Sequence, residues 1–255
     1  MKIGLFDSGI GGLTVLASLL KLLPNEEYLY YSDTVHVPFG TKTNDEILSY
    51  TEEGVDFLCG KGCDIVCIAC NTATSIAAEK LRKKENIPIV GIEPAIKPAV
   101  SEVRTDGRIL VLATPVTVRE RKLASLIERV DREHLVDMLA LPLLPSFAEK
   151  GDFDSGDVRT YLSECFEGTD TTQYHRIVLG CTHFIHYESL FKEYFPENVI
   201  FLDGCEGTAR NVRRIAMENE LQSSECGSIK YFNAGKIITD EKTLSFYQSI
   251  LERLK

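Results

Sequence analysis

Two cysteines follow short apolar runs in similar surroundings, and their chemistry is the most informative feature of this chain. Cys70 follows Asp64–Ala69, Cys181 follows Arg176–Gly180, and small polar residues come after each cysteine. Ligands of open α/β sheets bind beyond the carboxyl ends of the strands. Two thiols, one from each half of the chain, could therefore face a single ligand from opposite sides. This arrangement suits an acid and a base that act at one carbon centre.

The segment Asp7–Gly12 leaves the first predicted strand and opens a helix. Its glycines let the backbone approach a ligand closely, and the free N–H groups of a helix start suit a carboxylate or phosphate. The G-x-G-x-x-G pattern of dinucleotide sites is not met. A tight turn in which Asp7 only caps the helix remains an alternative.

Each of the two cysteines has polar neighbours that could tune its thiol. Cys70 lies near a predicted helix start, capped by Thr72 or Thr74, which predicts a lowered pKa and more thiolate at neutral pH. His183, two residues after Cys181, could hydrogen-bond that thiol or a substrate and relay a proton. The alternative is an inert buried cysteine, a common fate for this residue type.

A metal site is not expected, although thiols and imidazoles are plentiful. Cys67 and Cys70 have a ligand-like spacing, but they lie on an apolar strand, where residues three apart point to opposite faces. Cys67 is therefore predicted to be core, and a thioredoxin-like redox pair fails for the same reason. The other candidate ligands weighed for zinc are Cys59, Cys63, Cys181, His183 and His186.

Composition narrows the function classes. The chain has 255 residues, 44% of them hydrophobic, and a net charge of −10. An acidic surface argues against a general nucleic-acid role. The sequence shows no signal peptide and no apolar run long enough to span a bilayer, so we expect a cytoplasmic protein without a membrane role. Its eight cysteines are then expected to be free thiols.

Apolar runs alternate with amphipathic stretches, which predicts an α/β fold with mainly parallel sheets flanked by helices. The predicted strands are Lys2–Phe6, Glu27–Tyr31, Asp64–Ala69, Pro88–Gly91, Arg108–Ala113, Leu135–Ala140, Arg176–Leu179, Val199–Leu202 and Ile229–Phe232. The predicted helices are Gly12–Leu23, Asp45–Leu58, Thr74–Lys84, Val118–Val130, Val158–Phe166, Glu188–Tyr194, Thr208–Asn219 and Glu241–Leu254. The similar cysteine segments favour two related lobes with a cleft between them.

Five segments along nearly the whole chain resemble the glutamate racemases of the cofactor-independent aspartate/glutamate racemase superfamily. They are Phe6–Gly12, Val37–Lys42, Ala69–Thr74, Gly91–Ala95 and Leu179–Phe184. The resemblance implies two pseudo-symmetric α/β lobes with the active site between them. One lobe would span residues 1–95, with 208–255 returning to it, and the other would span 96–207.

The resemblance also implies roles for individual residues. Cys70 and Cys181 would be the two bases, assisted by Asp7 and His183, and Glu149 resembles a glutamate that supports the histidine. The implied substrate-binding residues are Ser8, Phe39, Gly40, Asn71, Thr72, Thr114, Thr117, Glu149 and Thr182. The implied reaction interconverts L- and D-glutamate without a cofactor or metal, in a cytoplasmic homodimer, and supplies D-glutamate for peptidoglycan.

Two departures from the family pattern leave the substrate open. Phe39 stands where the family commonly has Tyr, and Ile185 and His186 follow the second cysteine motif where Pro is frequent. An aspartate racemase with the same chemistry is the nearest alternative. A Cys/His hydrolase with Cys181 as nucleophile would leave Cys70 without a role. A non-catalytic amino-acid-binding protein is the third alternative.

Overall fold

The computed structural model describes residues 1–101, 107–224 and 227–254 as an α/β protein with two sheets. Its strands are β1 Lys2–Asp7, β2 Glu27–Ser32, β3 Ile65–Ile68, β4 Ile89–Gly91, β5 Arg108–Ala113, β6 Val136–Ala140, β7 Tyr174–Leu179, β8 Ile200–Asp203, β9 Ser228–Asn233 and β10 Lys236–Ile237. Its α-helices are α1 Leu13–Leu22, α2 Asn44–Gly60, α3 Asn71–Lys84, α4 Ile96–Ser101, α5 Pro115–Arg119, α6 Arg121–Val130, α7 Leu144–Glu149, α8 Gly156–Phe166, α9 Glu188–Phe191, α10 Cys205–Glu218 and α11 Glu241–Arg253.

Nearly all strand pairs are parallel. The first sheet has the order β10-β9-β2-β1-β3-β4, and only β10 runs antiparallel, against β9. The second sheet has the order β6-β5-β7-β8 and is parallel throughout. The central strands are continuously apolar because helices cover both faces, and β3 and most of β5 are buried.

The strand ends bring the two cysteine motifs into comparable positions. β1 and β3 are neighbours in the first sheet, so Asp7 and Cys70 follow adjacent strands. Cys181 follows β7, a central strand of the second sheet. The first sheet takes its strands from residues 2–91 and 228–237, and the second from 108–203. The domain boundaries given above stay a prediction.

Several elements differ from the sequence prediction. The predicted helix Val118–Val130 is two helices, because Glu120 adopts an extended conformation between α5 and α6. Thr114 caps α5 and Pro115 occupies its first turn, which starts the helix earlier than its apolar pattern indicates. Short α4, α7 and β10 were not predicted, because elements of two to six residues carry little periodicity.

No helix among the described residues is long and apolar enough to cross a membrane. The seven cysteines in the described ranges are free thiols, and Cys226 lies outside those ranges. Cys67 is fully buried in the core, as its position on β3 predicted.

Helix α2 packs on β1 through a glycine. A Cβ on Gly54 would overlap the ring of Phe6 and lie 3.0 Å from the ring of Tyr31. Phe6 also contacts the ring of Phe39, which belongs to the loop over the candidate site. The spacing between α2 and the first sheet therefore depends on the missing side chain at Gly54.

We expect Gly54→Ala to destabilise the protein by about 1–3 kcal/mol, because the added methyl group overpacks the α2–β1 contact. Urea unfolding measures the change. Gly60→Ala in the same helix is the matched control, since nothing lies within 4 Å of its added Cβ. It should change stability by less than about 1 kcal/mol. Equal stability of the two variants would contradict the packing account.

Candidate active site

Asp7 is fully buried at the end of β1 and is held by the loop that follows it. Its Oδ2 accepts the N–H of Gly9 at 2.9 Å. Burial raises the pKa of Asp7 to about 6, although His183 and the amides of Gly9 and Gly12 oppose this rise. Tyr30 fixes the loop from below, because its hydroxyl donates to the carbonyl of Gly9 at 2.7 Å. Asp7 is therefore a carboxyl group that can change protonation state near neutral pH.

Cys70 is the N-cap of α3, a position that the sequence prediction gave to Thr72 or Thr74. The helix begins at Asn71, three residues earlier than predicted, so both threonines lie inside its first turn. The sulfur of Cys70 accepts the N–H of Ala73 at 3.4 Å. The hydroxyl of Ser8 lies 3.7 Å from the same sulfur. Two polar groups can therefore stabilise a negative charge on Cys70.

The predicted lowering of the Cys70 pKa is wrong. Burial raises the pKa of this thiol to about 12, and the nearby charge of Asp7 raises it further. The N–H of Ala73 and the hydroxyl of Ser8 act in the opposite direction, but they are outweighed. A charge on Cys181 also raises this pKa. Without a ligand, Cys70 is a protonated thiol.

Cys181 has a different environment, built from His183 and Glu149. Its sulfur lies 3.7 Å from Nδ1 of His183, and Nε2 of that ring lies 2.6 Å from Oε1 of Glu149. Burial alone would lower the pKa of His183, but hydrogen bonds to Cys181 and Glu149 raise it well above its ordinary value. The ring is therefore an imidazolium, whose Nδ1–H can donate a hydrogen bond to the sulfur of Cys181.

Glu149 also contacts the loop after β1. Its Oε1 accepts the N–H of Ile10 at 2.8 Å, so one carboxylate oxygen bridges the first-sheet loop and His183. A Cβ on Gly9 would overlap this carboxylate, so only glycine allows the approach. The Asp7–Gly12 segment is thus more than a helix cap, because it packs against the Cys181 side of the site.

Three threonine hydroxyls form a closed cluster between the two sheets. Oγ1 of Thr72 lies 3.0 Å from that of Thr114 and 3.3 Å from that of Thr117. Thr114 in turn donates to Thr117 at 3.0 Å. Gly40 packs beside them, since its added Cβ would lie 2.9 Å from Cβ of Thr114.

The remaining predicted residues have unequal contacts. Asn71 is buried, and neither atom of its side-chain amide has a hydrogen-bond partner among the described residues. Thr182 is buried beside Gly11, whose added Cβ would lie 2.5 Å from Oγ1 of Thr182. Phe39 packs its ring against Phe6 and Tyr50 and offers no polar group. Asn71 and Thr182 therefore offer polar groups to the site, whereas Phe39 offers only apolar packing.

His186 is buried, and its imidazole ring is neutral. Its two nitrogens lack hydrogen-bond partners in the part of the chain described, and its ring lies 5.2 Å from that of Phe153. Burial lowers its pKa to about 3, and the charges of His183 and Arg253 lower it further. Within the described ranges, no three His, Cys, Asp or Glu side chains are grouped as metal ligands.

The sequence prediction missed the residues that hold the Val37–Lys42 segment. Nδ1 of His36 contacts both carboxylate oxygens of Asp33 at 2.8 and 2.9 Å, and its ring stacks on Tyr50 at 3.8 Å. Asp33 is buried, and burial raises its pKa. In the sequence, Asp33 and His36 lie just before the Val37–Lys42 segment. This placement alone predicts no contact, because the stacking partner Tyr50 lies on the distant helix α2.

Comparisons with known proteins agree on one family. A sequence profile described as Asp/Glu/Hydantoin racemase matches residues 10–212. The glutamate racemase of Halothermothrix orenii is 42% identical over 256 residues, which cover 100% of both chains. The glutamate racemase of Thermus thermophilus in complex with beta-chloro-D-alanine is 30% identical, with a TM-score of 0.77, over 99% of this chain and 92% of that chain. That of Escherichia coli, in complex with L-glutamate and the activator UDP-MurNAc-ala, is 27% identical, with a TM-score of 0.84, over 99% and 94%.

We expect Glu149→Gln to lower the pKa of His183, because it removes the carboxylate that stabilises the imidazolium. Titration of the His183 ring nitrogens by ¹⁵N NMR measures this change. Glu193→Gln is the matched control, since it removes one carboxylate that pairs with Arg159 at the surface. An unchanged titration of His183 in the Glu149 variant would rule out the assigned pairing.

The same pair should make stability depend on pH. The pKa of His183 is higher in the folded protein than in the unfolded protein, so the His183–Glu149 pair gives its full stabilisation below the unfolded pKa. This stabilisation is lost as the pH rises through the folded pKa.

Proposed function

This chain belongs to the Asp/Glu/Hydantoin racemase family, and we propose that it is a glutamate racemase, an isomerase that interconverts L- and D-glutamate. This proposal rests on the pair of buried thiols after β3 and β7, each of which has its own polar partners. Relatives that align over the full chain are glutamate racemases. A cofactor is not required by this proposal, because the two thiols can supply both proton transfers.

Racemisation needs an acid and a base on opposite faces of the α-carbon. A thiolate removes the α-hydrogen as a proton from one face, and a thiol on the other face returns a proton to the same carbon. The geometry suits Cys181 to the role of base, because the His183 ring lies 3.7 Å from its sulfur and can donate a hydrogen bond to it. Burial suits Cys70 to the role of acid, because it keeps the thiol protonated.

The family resemblance assigns Cys181 to the L-isomer and Cys70 to the D-isomer. A turnover from L- to D-glutamate then leaves Cys181 protonated and Cys70 as a thiolate. Ser8 and the amide of Ala73 stabilise that thiolate by hydrogen bonds. Two proton movements restore the resting state: Cys70 regains a proton and Cys181 loses one. Asp7, with a pKa of about 6, can return a proton to Cys70, and His183 can take the proton of Cys181 at Nδ1 once the ring has become neutral and keeps its one proton on Nε2, beside Glu149.

The polar side chains between the sheets are proposed to bind the two carboxylates and the amino group of the substrate. Thr72, Thr114 and Thr117 offer three hydroxyl donors in one cluster. Asn71 offers an amide without a protein partner among the described residues, and Ser8 lies beside the Cys70 sulfur. Donors fixed in a water-poor site stabilise the developing carbanion charge, which is the main demand of this reaction.

We propose glutamate and not aspartate as the substrate, because the relatives that align over the full chain are named glutamate racemases. The hydrolase alternative gains nothing from the geometry, because it gives no role to the Ser8–Cys70 contact. A binding protein without catalysis would not need a charged His183–Glu149 pair beside a thiol.

We propose that the enzyme acts as a homodimer in the cytoplasm and supplies D-glutamate for peptidoglycan. Light scattering should give a molar mass near twice the 28.5 kDa of one chain. A monomeric mass at micromolar concentration would contradict the dimer.

We expect Cys70→Ser and Cys181→Ser each to lower the rate of glutamate racemisation by about 10²- to 10⁴-fold, because each removes one of two proton-transfer groups. Circular dichroism in deuterated water follows loss of optical activity. Each variant should still eliminate chloride from one enantiomer of β-chloroalanine, since elimination needs only one base. Cys165→Ser is the control and should keep full activity. Full racemisation by both single variants would overturn the two-base mechanism.

A further inference from the structure

A cavity of about 280 Å³ lies beside the proposed catalytic cleft. Its walls are the first turn of α3, the Ile92–Pro94 segment after β4, and one face of α6. The volume falls just below the range typical of drug-sized ligands, so it suits a molecule of amino-acid size. Apolar Leu123 and Leu126 form part of the lining.

The inner wall of the cavity contains two residues that the proposed function already places on the substrate. Thr117 belongs to the threonine cluster, and Asn71 directly follows Cys70. Asn71 is only 6% exposed, and its amide has no hydrogen-bond partner in the described ranges. A buried amide without a partner costs about 1–3 kcal/mol, so a ligand that meets it is favoured. Asn71 and Thr117 therefore separate this cavity from the catalytic residues.

The outer wall carries more positive than negative charge. Lys122 and Arg129 lie seven residues apart on α6 and both face the cavity, and Glu93 is the acidic residue of the lining. Nζ of Lys122 lies 3.5 Å from Glu93, a loose ion pair. Burial lowers the pKa of Lys122, which Glu93 only partly offsets. A carboxylate placed here would lie beside the cations of Lys122 and Arg129. It would replace the loose ion pair between Lys122 and Glu93.

Access to the two thiols needs such a place. Cys70 and Cys181 are each 6% exposed, so little of either residue is directly open to solvent. The chain has a net charge of −10, which repels an anionic amino acid at long range. A local pair of cations overcomes that repulsion within about one Debye length, roughly 8 Å at physiological salt.

We infer that this cavity is the vestibule of the enzyme, where Lys122 and Arg129 capture the carboxylates of an acidic amino acid before it passes Asn71 and Thr117. The inference rests on the proposed function for the identity of the substrate. The cations act by raising the local concentration of the anion, and they take no part in proton transfer.

The test is the double variant Lys122→Gln with Arg129→Gln. We expect kcat/KM to fall by about three- to tenfold through KM, with kcat within about twofold of the original, because capture and not chemistry is affected. The loss should be equal for L- and D-glutamate, since the equilibrium constant between mirror images is one. It should shrink as salt is raised, and Lys122→Arg should keep normal kinetics.

Arg121→Gln is the matched control, because Arg121 lies on the same helix but does not line the cavity. An equal loss in this control, an unchanged kcat/KM in the double variant, or a fall in kcat alone would overturn the vestibule. If the unaltered protein does not racemise glutamate, the proposed function fails separately. Calorimetry with the dicarboxylate glutarate then decides: weaker binding by the double variant supports the capture site, and equal affinity overturns it.

Discussion

The carboxylate of Glu149 is the contact on which the rest of the site depends. One of its oxygens accepts the backbone N–H of Ile10 and lies 2.6 Å from His183. It therefore ties the loop after β1 to the residues that follow β7, across the space between the two sheets. The contact requires glycine at position 9, because any Cβ there would overlap the carboxylate. Without this contact, His183 would lose one of the two hydrogen bonds that orient its ring and favour its charge.

The two thiols occupy matching places in sequence but different electrostatic environments. Cys70 is surrounded by neutral donors and a nearby acid, so burial dominates and the proton stays on sulfur. Cys181 lies beside an imidazolium whose charge is favoured by hydrogen bonds to Cys181 itself and to Glu149. The two sulfurs therefore have different partners, neutral donors at Cys70 and a charged ring at Cys181.

Much of this arrangement was predictable from the sequence because its signals are local. The nine predicted strands overlap the strands of the structure, since alternation of buried apolar runs with helices is a strong pattern. The positions of Cys70 and Cys181 at strand ends followed directly. The pKa of Cys70 was predicted in the wrong direction, because a helix start is visible in sequence whereas complete burial is not. The ring of His36 on Tyr50 and the cavity beside α6 depend on contacts between distant segments, which no local pattern encodes.

The threonine cluster has a consequence for folding as well as for binding. Thr72, Thr114 and Thr117 satisfy one another by hydrogen bonds across the gap between the sheets. Buried hydroxyl groups that lacked partners would each destabilise the empty protein. Because these three are already paired, the polar pocket can form during folding without its ligand. Binding then becomes an exchange of neutral hydrogen bonds for stronger bonds to a charged group. In the empty protein, the cluster therefore links the chain after β3 to the chain after β5.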